Sequence, residues 1–311
     1  MTRLPMLKLA SIPCIFLFLL VVDVWAVAQS DTARIRQQLT AITKTPEFRN
    51  HKNVAQLDRT AEYIKGVFAS YADTTYFQEF TVEGKVYKNV ICSFGSKNAK
   101  RIVLGAHYDV CGDQQGADDN ASGLVGLLEL ARMLQGKELS NRIDLAAYTL
   151  EEPPYFRTEH MGSFVHAKSL SESGVAVLGM VSLEMIGYFS DQPRSQSYPL
   201  GILSLIYGNK GDYITLVKKF GSGAFARKFG RKFKSTKQIR TKKFVAPAKL
   251  PGIDFSDHLN YWNFGFSALM LTDTSFFRNR NYHKPTDTME TLDIVRMSKV
   301  IDGVFMAVVS L

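Results

Sequence analysis

Cysteine is scarce in this chain: Cys14, Cys92 and Cys111 are all there is. Only the last two lie beyond the N-terminal segment, and one pair in 311 residues excludes a disulfide-stapled scaffold. Both are expected as free thiols. Internal repeats and low-complexity linkers are also lacking, which excludes stacked-repeat architectures and long disordered spacers. Charge, glycine and proline contents are ordinary, and 46% of residues are hydrophobic, so the composition suits a packed globular core.

One apolar run stands out. Arg3 and Lys8 precede Ile15–Val22, and Ala26–Val27–Ala28 follows as a small-x-small pattern before Gln29. This reads as a signal peptide over residues 1–28, cut after Ala28, with a periplasmic or secreted product. The run is short for a membrane span and Asp23 interrupts its far end, so no stable membrane anchor is expected. Cys14 lacks lipobox-like neighbours.

The formal net charge is +9, and loss of the leader lowers it by one. The excess is local: nine Lys or Arg and no acid lie between Arg227 and Lys243, interleaved with Phe229, Phe233 and Ile239. That pattern reads as the solvated face of an amphipathic segment, and no nucleic-acid partner is expected.

Residues 29–311 are expected to form one domain. Helical spacing marks Thr32–Thr45 and Leu57–Tyr71, and Asp73–Val82 with Lys85–Phe94 reads as a hairpin turning at Glu83–Gly84. Strands are expected over Ile102–Ala106, Arg142–Leu150, Val175–Leu183, Leu200–Tyr207 and Phe264–Leu271. Helices are expected over Met161–Leu170, Asp212–Phe220 and Thr291–Val309. Apolar strands alternating with helices imply a three-layer α/β/α sandwich around a mainly parallel mixed sheet.

Three of these runs end in ionisable groups. His107 follows IVLGA, Glu151 and Glu152 follow DLAAYTL, and Glu184 follows VLGMVSL. In open parallel sheets the carboxyl ends of strands line one rim, where ligands bind. The stretch GADDNASG opens the helix after His107 and adds Asp118 and Asp119. Imidazole and carboxylate donors without thiolate suit a catalytic metal centre. His160 and His166 match no motif and are read as structural.

HYD, GADDNASG, the EE pair, LEMIGY, SDH and YHKPTDT, in that order, resemble the M28 family of zinc aminopeptidases, over nearly the whole mature chain. No inserted protease-associated domain is visible. The resemblance implies peptide substrates and two zinc ions, with Asp119 bridging them. His107 and Glu184 complete one metal, and Glu152 and His283 the other. It further implies Glu151 as general base, Asp109 orienting His107, and Asp257 supporting the active-site loop. Tyr282 is implied to steady the oxyanion, although packing beneath the loop would equally account for it. Spacing alone leaves Asp118 and Asp119 interchangeable.

Two features depart from the family pattern: Glu184 stands where many members carry Asp, and PPYFRTEHMGS after the EE pair is bulky. Two other readings remain beside the aminopeptidase. One is a glutaminyl cyclase, which shares the fold and uses a single zinc. The other is a non-catalytic binding domain of the same fold.

Overall fold

A computed structural model describes residues 29–311; the expected signal peptide and its cleavage site lie outside the described residues. The order is α1 (Thr32–Thr43), α2 (Val54–Ala69), β1 (Thr74–Val82), β2 (Lys85–Phe94), β3 (Arg101–His107) and α3 (Gly123–Leu134), followed by β4 (Arg142–Tyr148), α4 (Gly162–Glu172) and β5 (Val177–Glu184). Then come α5 (Leu203–Tyr207), β6 (Ile214–Lys219), α6 (Gly223–Ser235), β7 (Thr241–Ala246), α7 (His258–Asn263), β8 (Ala268–Thr272) and α8 (Ile294–Val309).

All eight strands form one mixed sheet in the order β1-β2-β4-β3-β5-β8-β6-β7. β4, β3, β5 and β8 run parallel to one another in its middle. β2 pairs antiparallel with β4, not with β3, so β2 and β3 do not form a hairpin with each other. Period-two alternation divides the side chains of the central strands. Ile102 and Leu104 face the core under α1, α2, α3, α6 and α8, while Val103 faces the core under α4 and α7. The same division holds for Val181 and Leu183 against Met180, and for Leu269 and Leu271 against Ala268 and Met270. Helices therefore cover both faces, as the expected sandwich requires.

Two expected elements are exchanged. Asp212–Phe220, expected as a helix, contains strand β6, which is held between β8 and β7 with Ile214–Val217 buried. Its β-branched Ile214, Thr215 and Val217 suit that place, and tertiary pairing overrides the helix-like spacing. Leu200–Tyr207, expected as a strand, ends instead in the short helix α5. Its apolar side chains are not core: Leu205 is 84% exposed and Ile206 73% exposed. An apolar strand there would need burial, and the fold does not supply it.

The basic run is also divided. Phe225, Phe229 and Phe233 anchor the inner face of α6, whereas Lys242 and Lys243 belong to β7. Cys92 and Cys111 are free.

Candidate metal centre

His107 is the last residue of β3, Glu184 the last of β5, and Glu151 and Glu152 follow shortly after β4. Because these three strands are parallel neighbours, all four side chains arrive on one rim. Asp119 reaches the same point from the irregular turn that enters α3, whose Asp119–Asn120 peptide is cis. His283 comes from the loop after β8.

Asp119 stands between two imidazoles. Its Oδ1 lies 3.4 Å from His107 Nε2 and its Oδ2 lies 3.1 Å from His283 Nε2. Glu184 Oε2 is 3.4 Å from His107 Nε2, and Glu152 Oε2 is 3.2 Å from His283 Nε2. Glu151 Oε2 sits further from His107, at 3.8 Å. Geometry also distinguishes the adjacent aspartates. Asp118 turns away, accepting the backbone N–H of Gly187 and the side-chain amide of Asn279.

The backbone around these groups is locked. Asp109 accepts the N–H of Glu151 at 3.2 Å and of Glu152 at 3.1 Å, besides lying 3.6 Å from His107 Nδ1. Its carboxylate therefore fixes the glutamate pair, while the hydrogen-bond partner of His107 Nδ1 is the backbone carbonyl of Asp109, at 3.2 Å. The amide of Asn120 donates to Leu183 O and accepts from the N–H of Met185 and Gly123, tying the end of β5 to α3. Asp287 accepts the N–H of both Asp118 and Asp119. Buried Arg49 donates to Ile42 O, Tyr108 O and Gly116 O. Leu150, Met185 and His283, each a site residue or its neighbour, hold positive φ values of 59°, 48° and 55°. Strained backbone of this kind clusters where the surroundings over-determine a site.

The SDH segment meets the site through Ser256, whose hydroxyl donates to Glu184 Oε2 at 2.8 Å. Asp257 is fully buried beside it, and neither carboxylate oxygen has a hydrogen-bond partner. Tyr282 stacks on His283, with ring centroids 3.7 Å apart, and lines the same cavity. His166 lies away from the centre, buried against the hydroxyls of Tyr148 and Tyr261. Sequence reasoning missed the parts played by Arg49, Ser256 and Asp287, and the position of Cys111. The Cys111 thiol lies with Glu152 and His283, their donor atoms all within 4.8 Å of one another. Ser256 and Asp287 carried a signal, because they belong to the SDH and YHKPTDT stretches.

The donor set fits metal ions. His107 Nε2, Asp119 Oδ2, Glu152 Oε1 and His283 Nε2 are buried, and none makes a well-directed hydrogen bond. Such orphaned groups are costly unless something else engages them. The electrostatics agree. Burial pushes Glu152 up to about 8, aided by Asp119 and opposed by His283. Burial would lower His283, yet Asp119 and Glu152 hold it at about 10. Burial likewise opposes a charged His107, but Glu151 and Glu184 outweigh it and raise the imidazole well above its usual range. The carboxylates thus create a strong demand for positive charge.

Comparison with known proteins agrees with this construction. The chain is 39% identical over 308 residues to the uncharacterized protein YfbL of Escherichia coli K12, covering 93% of this chain and 94% of that one. It is 26% identical to leucine aminopeptidase 1 of Arthroderma otae over 70% of this chain, and spans only 57% of that relative's length. In fold it is similar to the LapA aminopeptidase of Legionella pneumophila, with a TM-score of 0.69, 20% identity and coverage of 89% of this chain and 71% of that one. A glutaminyl cyclase of Bacteroides thetaiotaomicron also gives a TM-score of 0.69, with 18% identity and coverage of 92% of this chain and 99% of that one. The model of peptidase family M28 matches residues 89–308, from within β2 through most of the last helix, and the chain belongs to that family.

Proposed function

We propose that the protein is a zinc-dependent aminopeptidase that removes N-terminal residues from peptides. The reading rests above all on Asp119, whose two oxygens are directed at His107 and His283. In this reading His107, Asp119 and Glu184 hold one zinc ion, and Asp119, Glu152 and His283 hold a second. Bound at such donors, a zinc pair would supply polarisation of a scissile carbonyl and a lowered pKa for an attacking water.

Glu151 is left to act on protons. Burial holds its carboxyl well above the ordinary range, and Glu152 and Glu184 add to the rise against the pull of His107. A carboxylate of raised basicity suits a general base near neutral pH. It takes a proton from water as the water oxygen bonds to the carbonyl carbon. It then delivers that proton to the amine nitrogen as the C–N bond breaks. Burial and the surrounding carboxylates keep the Tyr282 phenol protonated, so it is a hydrogen-bond donor towards the developing oxyanion. Asp109 supports both glutamates through their backbone.

Zinc analysis combined with a panel of aminoacyl amides, free and N-acetylated, tests the reading. Two zinc ions per chain and hydrolysis restricted to free N-termini are expected. One zinc with cyclisation of N-terminal glutamine would replace it with the cyclase reading, and turnover of neither substrate class would leave a binding domain. The N-terminal leader supports export, so we extend the proposal to a periplasmic or secreted enzyme. Among the described residues, no helix is long and apolar enough to cross a membrane.

A further inference from the structure

The metal centre opens into a cavity of about 330 Å³ whose far end has the opposite electrostatic character. Glu151, Glu152 and Asp119 line one end, and Phe255, Phe276 and Met270 are among the apolar lining. At the β6–β7 end stands Lys242. Its ammonium lies 3.4 Å from the centroid of the Tyr213 ring and donates to the backbone carbonyl of Tyr207. Among the described residues it has no carboxylate within ion-pair distance. The nearby acid, Asp212, is instead paired with Arg240.

A second cation backs the same ring. Arg278 is 4% exposed, and its guanidinium carbon lies 4.7 Å from the Tyr213 centroid. It donates to Gln196 Oε1 and Tyr188 O, both neutral, while its Nη2 is buried with no hydrogen-bond partner. Among the described residues neither cation has a carboxylate at ion-pair distance, although buried Asp273 lies within electrostatic reach of Arg278, so this end of the cavity favours an arriving counter-charge. Burial pushes Lys242 down to about 8, which leaves it largely protonated at neutral pH.

Building on the aminopeptidase reading, we propose that Lys242, backed by Arg278, is a specificity-determining residue that binds a carboxylate of the substrate. The carboxylate comes either from an acidic N-terminal side chain or from the C-terminus of a short peptide. Both present the same group to the positive end of the cavity while the scissile bond lies at the carboxylate-rich end. A cavity of this size is at the lower end of small-molecule sites, about 300–1,000 Å³, which favours short substrates. The basic run is then not wholly a solvated face, because its last members line this wall.

Two matched pairs test the proposal on zinc-loaded protein: glutamyl against glutaminyl p-nitroanilide, and Leu-Leu against Leu-Leu-amide. A hydrogen-bonded charge contributes enough to favour the carboxylate member by about 10- to 100-fold in kcat/KM. One pair should show that preference, and which one identifies the source. Lys242→Met should bring the ratio close to one, mainly through KM, and Lys242→Arg should retain most of it. Equal kcat/KM within both pairs, or a preference that survives Lys242→Met, overturns the assignment. Calorimetric binding of Leu-Leu, Leu-Leu-amide, glutamate and glutamine to the wild type and Lys242→Met separates this proposal from the hydrolytic one. Carboxylate-dependent binding that is lost in the variant, without turnover of any peptide, upholds the Lys242 assignment and rejects the aminopeptidase. Binding that ignores the carboxylate rejects the Lys242 assignment.

Discussion

Asp287 accepts the backbone N–H of Asp119 at 3.0 Å, and through it the YHKPTDT motif holds the GADDNASG turn. Asp287 also takes the N–H of Asp118, so the turn that carries Asp119 is suspended from a carboxylate 168 residues further along the chain. Asp287→Ala removes the acceptor from two buried N–H groups and lets that turn relax. Zinc affinity, measured by chelator competition, should fall about 10- to 100-fold, as for other losses of groups that orient metal ligands. Asp287→Asn keeps one acceptor oxygen and should recover much of the loss. Unchanged affinity in the alanine variant would mean that the turn holds its shape without this support.

A pH effect is also expected from two buried histidines outside the proposed ligand set. Burial pushes His166 and His258 down to about 4, from an ordinary value of 6.5. Between these values the unfolded chain binds protons that the folded protein does not. Stability is therefore fully present above about pH 6.5 and is lost as pH falls towards 4. One such histidine costs about 2 kcal/mol between pH 7 and pH 5. His166→Gln should flatten the acid side of the stability curve by about that amount in urea unfolding. An unchanged slope would show that His166 titrates normally.

The site was legible in the sequence because chemistry-bearing residues interrupt apolar runs. His107, the EE pair and Glu184 each stand at or just past the buried end of a central strand, where a polar group is out of place unless it has a task. The middle of the sheet was read correctly for the same reason, since β3, β4, β5 and β8 are largely apolar on both faces. The region from Tyr198 to Phe244 was not legible. There, short apolar segments lie at the sheet's edge or over a cavity, and burial, not periodicity, decides their form. β6 is a strand because β8 and β7 flank it, while the exposed end of 200–207 coils into α5. Lys242 escaped notice for a related reason: in sequence it is one of nine cations, and only pairing of β7 with β6 brings it to the cavity.

The rest of the basic run should be dispensable for catalysis. Lys234 and Lys237 are exposed and Lys232 half-buried, on or just beyond α6, whose inner face is held by Phe225, Phe229 and Phe233. Neutralising Lys232, Lys234 and Lys237 together should leave kcat/KM for a neutral aminoacyl amide within a few-fold of wild type. Abolished turnover in a folded triple variant would assign α6 to the substrate site.

Export can be checked directly. N-terminal sequencing of protein recovered from the periplasm or medium should begin at or near Gln29. Soluble cytoplasmic protein that retains Met1 would reject the leader reading.

The two adjacent glutamates allow the sharpest separation of roles. Both have their backbone N–H bound by Asp109, but their side chains diverge: Glu152 Oε2 approaches His283 at 3.2 Å, while Glu151 lies 3.8 Å from His107. Glu151→Gln preserves size and removes the proposed base. Zinc content should stay at the wild-type level while turnover falls by roughly 10²–10⁴-fold. Glu152→Gln replaces an anionic donor with a neutral amide, which engages a dication more weakly. It should lose zinc on dialysis and regain part of its activity when zinc is added in excess, whereas Glu151→Gln should not respond. Near-normal rate and metal content in both would reduce the pair to loop residues. Equal zinc loss in both would place each glutamate on a metal, and the proton would then need another carrier.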